Sequence, residues 1–216
     1  TLLRNLSAMK LYTFDPAPNA RRVEMFVAYK GLSIDTVQID FMAMEQHSEA
    51  YLAINPQGTV PALVLDDGTL LADVTAIYSY LEAMYPEKPL MGQNAQEKAQ
   101  IIGWLHRLYV SVFAPIADAY RNTHPVFTGR AVPGTLLLEQ IPALAERGQQ
   151  RVAAIWPEID AHLESSRFVA GDNFSAADID LLAMIGFMGM AKLSLPEGLA
   201  NVDAWKERAK AQLPQK

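Results

Sequence analysis

The residues from 55 to 77 hold the best-defined set of groups in this chain for gripping a small molecule. Pro56 and Gly58 mark a turn, and Val60 is held extended by the proline that follows it. Residues 62–65 form a short apolar run suited to a buried strand. Asp66-Asp67-Gly68-Thr69 is a hairpin turn with Asp-Gly at its centre, and Leu70-Leu71 begins the return strand. Asp73 then stands where an acidic residue opens a helix, with a long apolar-periodic run behind it. Pro61 cannot donate to a sheet, so it belongs just before the strand. This order brings a backbone edge at Val60 close to an anion-friendly helix start at Asp73. Main-chain N–H and C=O on one side and helix N–H groups on the other suit a small peptide bearing a carboxylate. A hairpin feeding a helix, with no ligand, fits the same residues.

A second set lies further along. His106, Tyr109 (or Val110), Phe113, Ala117 and Tyr120 fall on one face at helical spacing. Such a stripe often faces a core, yet tyrosines and a histidine each need a polar partner there. Arg121-Asn122-Thr123-His124-Pro125 ends that helix, and His124 reads as structural or solvent-facing.

Composition removes several chemistries. The chain has 216 residues, no cysteine and a formal net charge of −6. Disulfides, protein-thiolate catalysis and cysteine-ligated metals are excluded. No long basic patch points to nucleic acid, and no apolar run reaches the ~18 residues of a membrane span. Half the residues are hydrophobic, as in a globular fold. Residues 1–8 hold one arginine and no apolar h-region, so they read as a short extension ahead of Met9 rather than a secretory signal.

The elements that must position these groups follow from pattern. Residues 10–14 read as a first strand, and Asp15-Pro16-Ala17-Pro18-Asn19 as a turn with Asn19 as helix N-cap. A helix over 20–30 closes at Gly31, and residues 34–39 form a second strand, giving a βαβ unit with parallel strands. Residues 40–53 are a loop and short helix carrying Gln46 and His47. The hairpin adds two antiparallel strands and residues 75–85 a helix. The N-terminal part is therefore α/β, a mixed four-stranded sheet with helices. Pro86 to Gly92 reads as a linker. The expected organisation is a first domain over 1–86, a linker over 87–93 and an all-α domain over 94–216. In that domain, residues 95–120 form one long helix kinked at Pro115. Residues 133–166 form another, with a break at Pro142. Residues 176–193 form a buried apolar helix, and residues 201–212 a short last helix around Trp205.

Several motifs now resemble the cytosolic glutathione transferases. Asn55-Pro56-Gln57-Gly58-Thr59-Val60-Pro61-Ala62-Leu63 looks like that family's N-P-x-G-x-V-P-x-L stretch, whose proline is cis. Asp73-Val74-Thr75-Ala76-Ile77 is similar to its E-S-x-A-I. Residues 168–179 resemble its second-domain motif, which is a capping box in its own right: Ser175 caps and Asp178 reciprocates. Met9-Lys10-Leu11-Tyr12 and residues 18–23 look like the opening of bacterial members with nu- and theta-like features.

The resemblance implies a thioredoxin-like first domain that binds glutathione as co-substrate, with no metal. Val60 would pair its backbone with the cysteinyl part, next to Thr59. Asp73 would hold the γ-glutamyl amine, and N–H groups near Val74 and Thr75 its carboxylate. Gln46 and His47 match a loop that contacts the glycine end, although a loop histidine is often only solvated. The expected activity is transfer of the glutathione thiolate to a hydrophobic electrophile, as in detoxification. That site would lie between the domains, with Phe14, His106, Tyr109, Phe113 and Tyr120 lining it. A cytoplasmic homodimer is expected, with no nucleic-acid or membrane partner. Alternatives of the same fold are a non-catalytic glutathione-binding protein and a glutathione-dependent disulfide reductase.

One departure matters for the chemistry. The thiolate is the nucleophile, and the family supplies a Tyr, Ser or Cys from the first βα loop to stabilise it. Here Ala17 and Phe14 occupy the serine positions, and neither has a hydroxyl. Asn19 is the remaining candidate, an amide donor at a helix N-terminus. Tyr12 and Thr13 offer hydroxyls, of which only one can share a face with Phe14. Val74 likewise replaces a capping serine.

Overall fold

The computed structural model describes residues 5–214, with side chains from Met9 onward. It divides into two compact units: Thr1–Lys88 with Pro133–Leu136, and Pro89–Val132 with Leu137–Lys216.

The first unit is built on a four-stranded sheet in the order β2-β1-β3-β4. Strand β1 (Asn5–Thr13) begins upstream of the expected start, so residues 5–8 extend the sheet. Residues 1–4 of the expected extension lie outside the described residues. Helix α1 (Pro18–Lys30) follows and ends at Gly31, whose φ of 68° is the left-handed cap. Strand β2 (Ser33–Gln38) runs parallel to β1. A 3₁₀ turn (Glu45–His47) and the one-turn helix α2 (Glu49–Leu52) precede the hairpin of β3 (Ala62–Val64) and β4 (Leu70–Leu71). Helix α3 (Val74–Met84) closes the unit. Alternation along β1 sends Thr13 toward α1, where its hydroxyl donates to Glu24. Tyr12 goes to the other face, where it meets Tyr51 edge-on. Helices α1 and α3 pack through Phe26 stacked on Tyr78 with ring centroids 4.3 Å apart.

The second unit holds α4 (Ala95–Leu108), a π turn (Tyr109–Phe113), α5 (Ala114–Arg121), α6 (Pro142–Ser165), α7 (Ala176–Met190) and α8 (Ala200–Lys210). The helix expected over 95–120 is thus three segments. Pro115 lacks an N–H and crowds the preceding turn, and a π turn directly ahead of it absorbs that mismatch. The helix expected from 133 begins at Pro142 instead, since a proline at the first helical position is preorganised to start one. Helices α5 and α6 approach closely at Gly148, where a Cβ would lie 2.5 Å from the Pro115 carbonyl oxygen. The capping box at Ser175 and Asp178 forms as expected. Asp178 also accepts from Val169 N and from the indole of buried Trp205, at 2.9 and 2.8 Å. Burial raises its carboxyl above the ordinary range despite those donors.

One buried cation ties off the first unit. Lys30 Nζ sits 2.7 Å from Glu82 and donates to the carbonyls of Tyr85, Glu87 and Lys88. Those carbonyls follow the end of α3, where no helical partner remains. Lys30→Met should therefore take the buried cation from Glu82 and a charged donor from three carbonyls. The expected loss is about 3–5 kcal/mol, read from urea unfolding of the variant against the parent.

Candidate functional site

The pairing register brings three loops to one end of the sheet. Tyr12 pairs with Ala62 in the antiparallel ladder of β1 and β3. Two residues further, the same register sets Phe14 opposite Val60. Leu63 pairs with Leu71 across β3 and β4, so the chain leaves that ladder just before Asp73 and the start of α3. On the other side Ile39 N donates to Thr13 O at 2.8 Å. Phe14, Ala17 and Val60 accordingly share one apolar cluster with Tyr12, Ile39, Phe41 and Tyr51. Phe14 stacks on Phe41 with centroids 4.8 Å apart. Tyr12, not Thr13, is the hydroxyl residue on that side.

Backbone groups stand open there. The Val60–Pro61 bond is cis. Val60 precedes the first residue of β3, and no backbone hydrogen bond of its own is made among the described residues. The residue before it is well held. Thr59 O accepts from the Tyr51 hydroxyl at 2.7 Å and from Asn55 Nδ2 at 2.8 Å. Burial pushes the Tyr51 hydroxyl up to about 12, so it stays a donor. Asp73 has the expected N-cap backbone, φ −107° and ψ 139°, but its carboxylate makes no cap hydrogen bond. It is exposed and Val74 is buried, while Thr75 is exposed at the start of α3. An unengaged carboxylate beside uncapped helix N–H groups can take an ammonium and a carboxylate side by side.

The expected cap at Asn19 is corrected. Helix α1 starts two residues earlier, with Ala17 as N-cap and Pro18 first. Proline disfavours helical backbone at the residue before it, so Ala17 is the last extended residue. Asn19 lies within the first turn, its Oδ1 accepting from Arg22 Nη1 at 2.9 Å. Ala17 has no side-chain oxygen, so nothing from its side chain covers the first N–H groups of α1.

His47 has a partner within the fold. It is not merely solvated: Nε2 lies 3.1 Å from Gly134 O, within the same unit. Gln46 beside it is buried, with Oε1 unpartnered and Nε2 3.6 Å from Met44 Sδ. No local pattern ties residues 133–136 to this loop, because the contact joins positions 87 apart.

In the helical unit, Tyr109 stacks on Phe113 at 5.3 Å. Phe113 and Tyr120 both meet Phe187, at 5.4 and 5.7 Å. Tyr120 continues to His124 and Phe127, each at 5.1 Å. This is one aromatic row. Phe187 was hidden from the pattern because α7 is apolar on every side. His106 stands apart: it is exposed, since the π turn rotates residues on either side of it out of a common face. His124 is structural, its Nδ1 accepting from Val126 N at 3.3 Å. Arg121, unmarked in sequence, donates to the carbonyls of Arg130, Ala131 and Val132. Burial, helped by Arg130, pulls it down to about 10. Among the described residues no acidic, histidine or cysteine cluster could hold a metal. No helix is long and apolar enough to cross a membrane.

Comparison with known proteins fits this geometry. Residues 11–89 match the family profile for the glutathione S-transferase N-terminal domain, and 142–208 that for the C-terminal domain. The chain is 33% identical to glutathione S-transferase 2 of Saccharomyces cerevisiae over 205 residues, covering 93% of this chain and 84% of the yeast protein. Among solved structures it resembles Gtt2 from Saccharomyces cerevisiae, with a TM-score of 0.84 and 30% identity over 94% of this chain and 100% of that one. It also resembles a glutathione S-transferase domain-containing protein of Marinobacter aquaeolei, with a TM-score of 0.86 and 28% identity over 94% and 97%.

Tyr51→Phe removes one of the two donors on Thr59 O and leaves the other. Stability should fall by about 1 kcal/mol, measurable as a lower urea midpoint with an unchanged slope.

Proposed function

The chain belongs to the glutathione S-transferase family, whose co-substrate is glutathione, and we propose that it transfers the glutathione thiolate to a hydrophobic electrophile. One observation carries the reading. The strand register sets Phe14 beside Val60 at the end of the sheet where α3 starts, and the Val60 backbone and the Asp73 carboxylate there make no hydrogen bond among the described residues. Val60 binds the cysteinyl backbone. Asp73 takes the γ-glutamyl ammonium, and N–H groups at Val74 and Thr75 take its carboxylate. Thr59 is held by Tyr51 and Asn55 so that Val60 is presented extended. Gln46 and His47 border the glycine end, with Gly134 fixing the His47 ring.

The thiolate is stabilised without a protein hydroxyl at the N-terminus of α1. Asn19 donates to the sulfur from its amide, and uncapped N–H groups of the first turn add to the field. Catalysis then comes from a larger thiolate fraction and from positioning. The electrophile is aromatic or otherwise apolar. Phe14 is the proposed apolar surface for it in the first unit. The reading includes a homodimer, as is typical of the family, and a cytoplasmic location, where a chain without cysteine works beside a reduced thiol.

Calorimetry with glutathione, followed by turnover with a chloronitrobenzene-type electrophile and with a small disulfide, tests this. Binding with nucleophilic substitution is expected. No binding at millimolar glutathione overturns the reading, and binding with disulfide turnover alone overturns its electrophile. Asp73→Asn should weaken glutathione binding about tenfold, the scale of one charge-assisted hydrogen bond, with a smaller effect on kcat. Asn19→Ala should lower kcat/KM about tenfold by raising the bound thiol's pKa.

A further inference from the structure

We infer that Arg22 is a positioning residue for the thiolate, acting through Asn19: its guanidinium fixes which edge of the Asn19 amide faces the sulfur and polarises that amide as a donor. The inference rests on the reading of Asn19 given above and supplies what that reading lacks, a reason for a neutral amide to replace a hydroxyl.

The argument starts from donor chemistry. An asparagine amide has an acceptor oxygen and a donor nitrogen of nearly equal shape, so its orientation is decided by its partners. A guanidinium has only donors. The Asn19 atom lying 2.9 Å from Arg22 Nη1 must therefore be the oxygen. Nδ2 is then on the other arm of the planar amide, with the N–H anti to the carbonyl oxygen turned away from Arg22. A rotated amide would set N–H against N–H beside a buried cation, so the donor-out state is strongly favoured.

Position does the rest. Arg22 is 3% exposed, so its charge is poorly screened by water. Asn19 and Arg22 are three apart in one helix, where side chains are neighbours. Asn19 is on the first turn of α1, and helical side chains lean toward the N-terminus. That end carries Ala17, whose N–H is bonded to Phe14 O at 2.8 Å in the loop that faces Val60. A cation pulling on Oδ1 withdraws electron density from Nδ2 and makes its N–H bonds better donors to an anion. No proton moves in this arrangement. The amide transmits part of the positive field of Arg22 to the sulfur, and the thiol proton leaves to solvent.

The test is the thiolate absorbance of bound glutathione as a function of pH. It compares the parent protein, Asn19→Ala, Arg22→Met, Arg22→Lys and the double variant Asn19→Ala/Arg22→Met, all at saturating glutathione. Loss of the polarising contact should cut the thiolate fraction below the pKa about threefold, less than the full loss of the donor in Asn19→Ala. In the Asn19→Ala background Arg22→Met should add nothing further, because the route to the sulfur is already gone. Equal effects of Arg22→Met with and without Asn19 overturn the inference, since the arginine would then act through space or through the fold. Arg22→Lys keeps a charge but not the planar fork. It should show part of the shift, and it carries the test alone if Arg22→Met does not fold, an unchanged pKa in the lysine variant overturning the inference. A parent protein that binds glutathione with an ordinary thiol pKa removes the reading of Asn19 and this inference together. A lowered parent pKa that no Arg22 variant moves removes only the inference.

Discussion

The register of β1 against β3 is the constraint on which the site depends. Because Tyr12 faces Ala62, Phe14 falls opposite Val60, and the loop into α1 is delivered beside the turn before β3. Because Leu63 faces Leu71, the start of α3 arrives at the same end. Side-chain period in a strand is two, so a slip of one residue would exchange Tyr12 for Thr13 on the cluster side and dissolve the arrangement. Burial holds the register. Leu11 and Thr13 are sunk on the α1 side, and Tyr12 meets Tyr51 on the other. The three loops need no direct contact to be aligned. They inherit their alignment from hydrogen bonds several residues away.

Irregular backbone elsewhere is held by buried or half-buried ionisable side chains, each shared among several backbone partners. Lys30 collects the carbonyls beyond the end of α3, and Arg121 collects those of residues 130–132. Asp178 does the converse, accepting from two backbone N–H groups, a hydroxyl and an indole. The logic is common to all. Carbonyls or N–H groups that leave regular structure inside the protein must find partners, and an ionised side chain satisfies several at once with strong bonds.

Much of the architecture was legible because it depends on local signals. The hairpin followed from Asp67-Gly68, the α1 terminus from Gly31, and the start of α7 from Ser175 and Asp178 three apart. What was not legible depends on tertiary contact or on competition between signals. At the start of α1, asparagine and proline both claim a place; proline at the first helical position won, and Asn19 moved inside the helix. The sequence pattern joined residues 95–120 in one helix because it cannot register a π turn, which adds no residue type of its own. Phe187 and Gly134 are tied to the candidate residues only by the fold.

Ala17 is where local structure and chemistry pull against each other. A serine or threonine there would cap α1, a contribution of about 1 kcal/mol, and would offer a hydroxyl to a ligand. Alanine gives up both. It leaves the first-turn N–H groups of α1 without a side-chain cap, and the helix relies on Pro18 to fix its start. Uncapped N–H groups are a liability in an empty site and an asset beside an anion, so the alanine that weakens the helix leaves its N–H groups open to the thiolate on the proposed reading. Asn19 fits that exchange. Placed inside the first turn rather than ahead of it, its amide is not consumed in capping, and its oxygen is taken by a buried cation instead of a backbone N–H. On the proposed reading the donor edge is thereby left for the ligand. A chain that loses the hydroxyl can keep the chemistry only if another donor is both nearby and unspent, and the early start of α1 meets that condition.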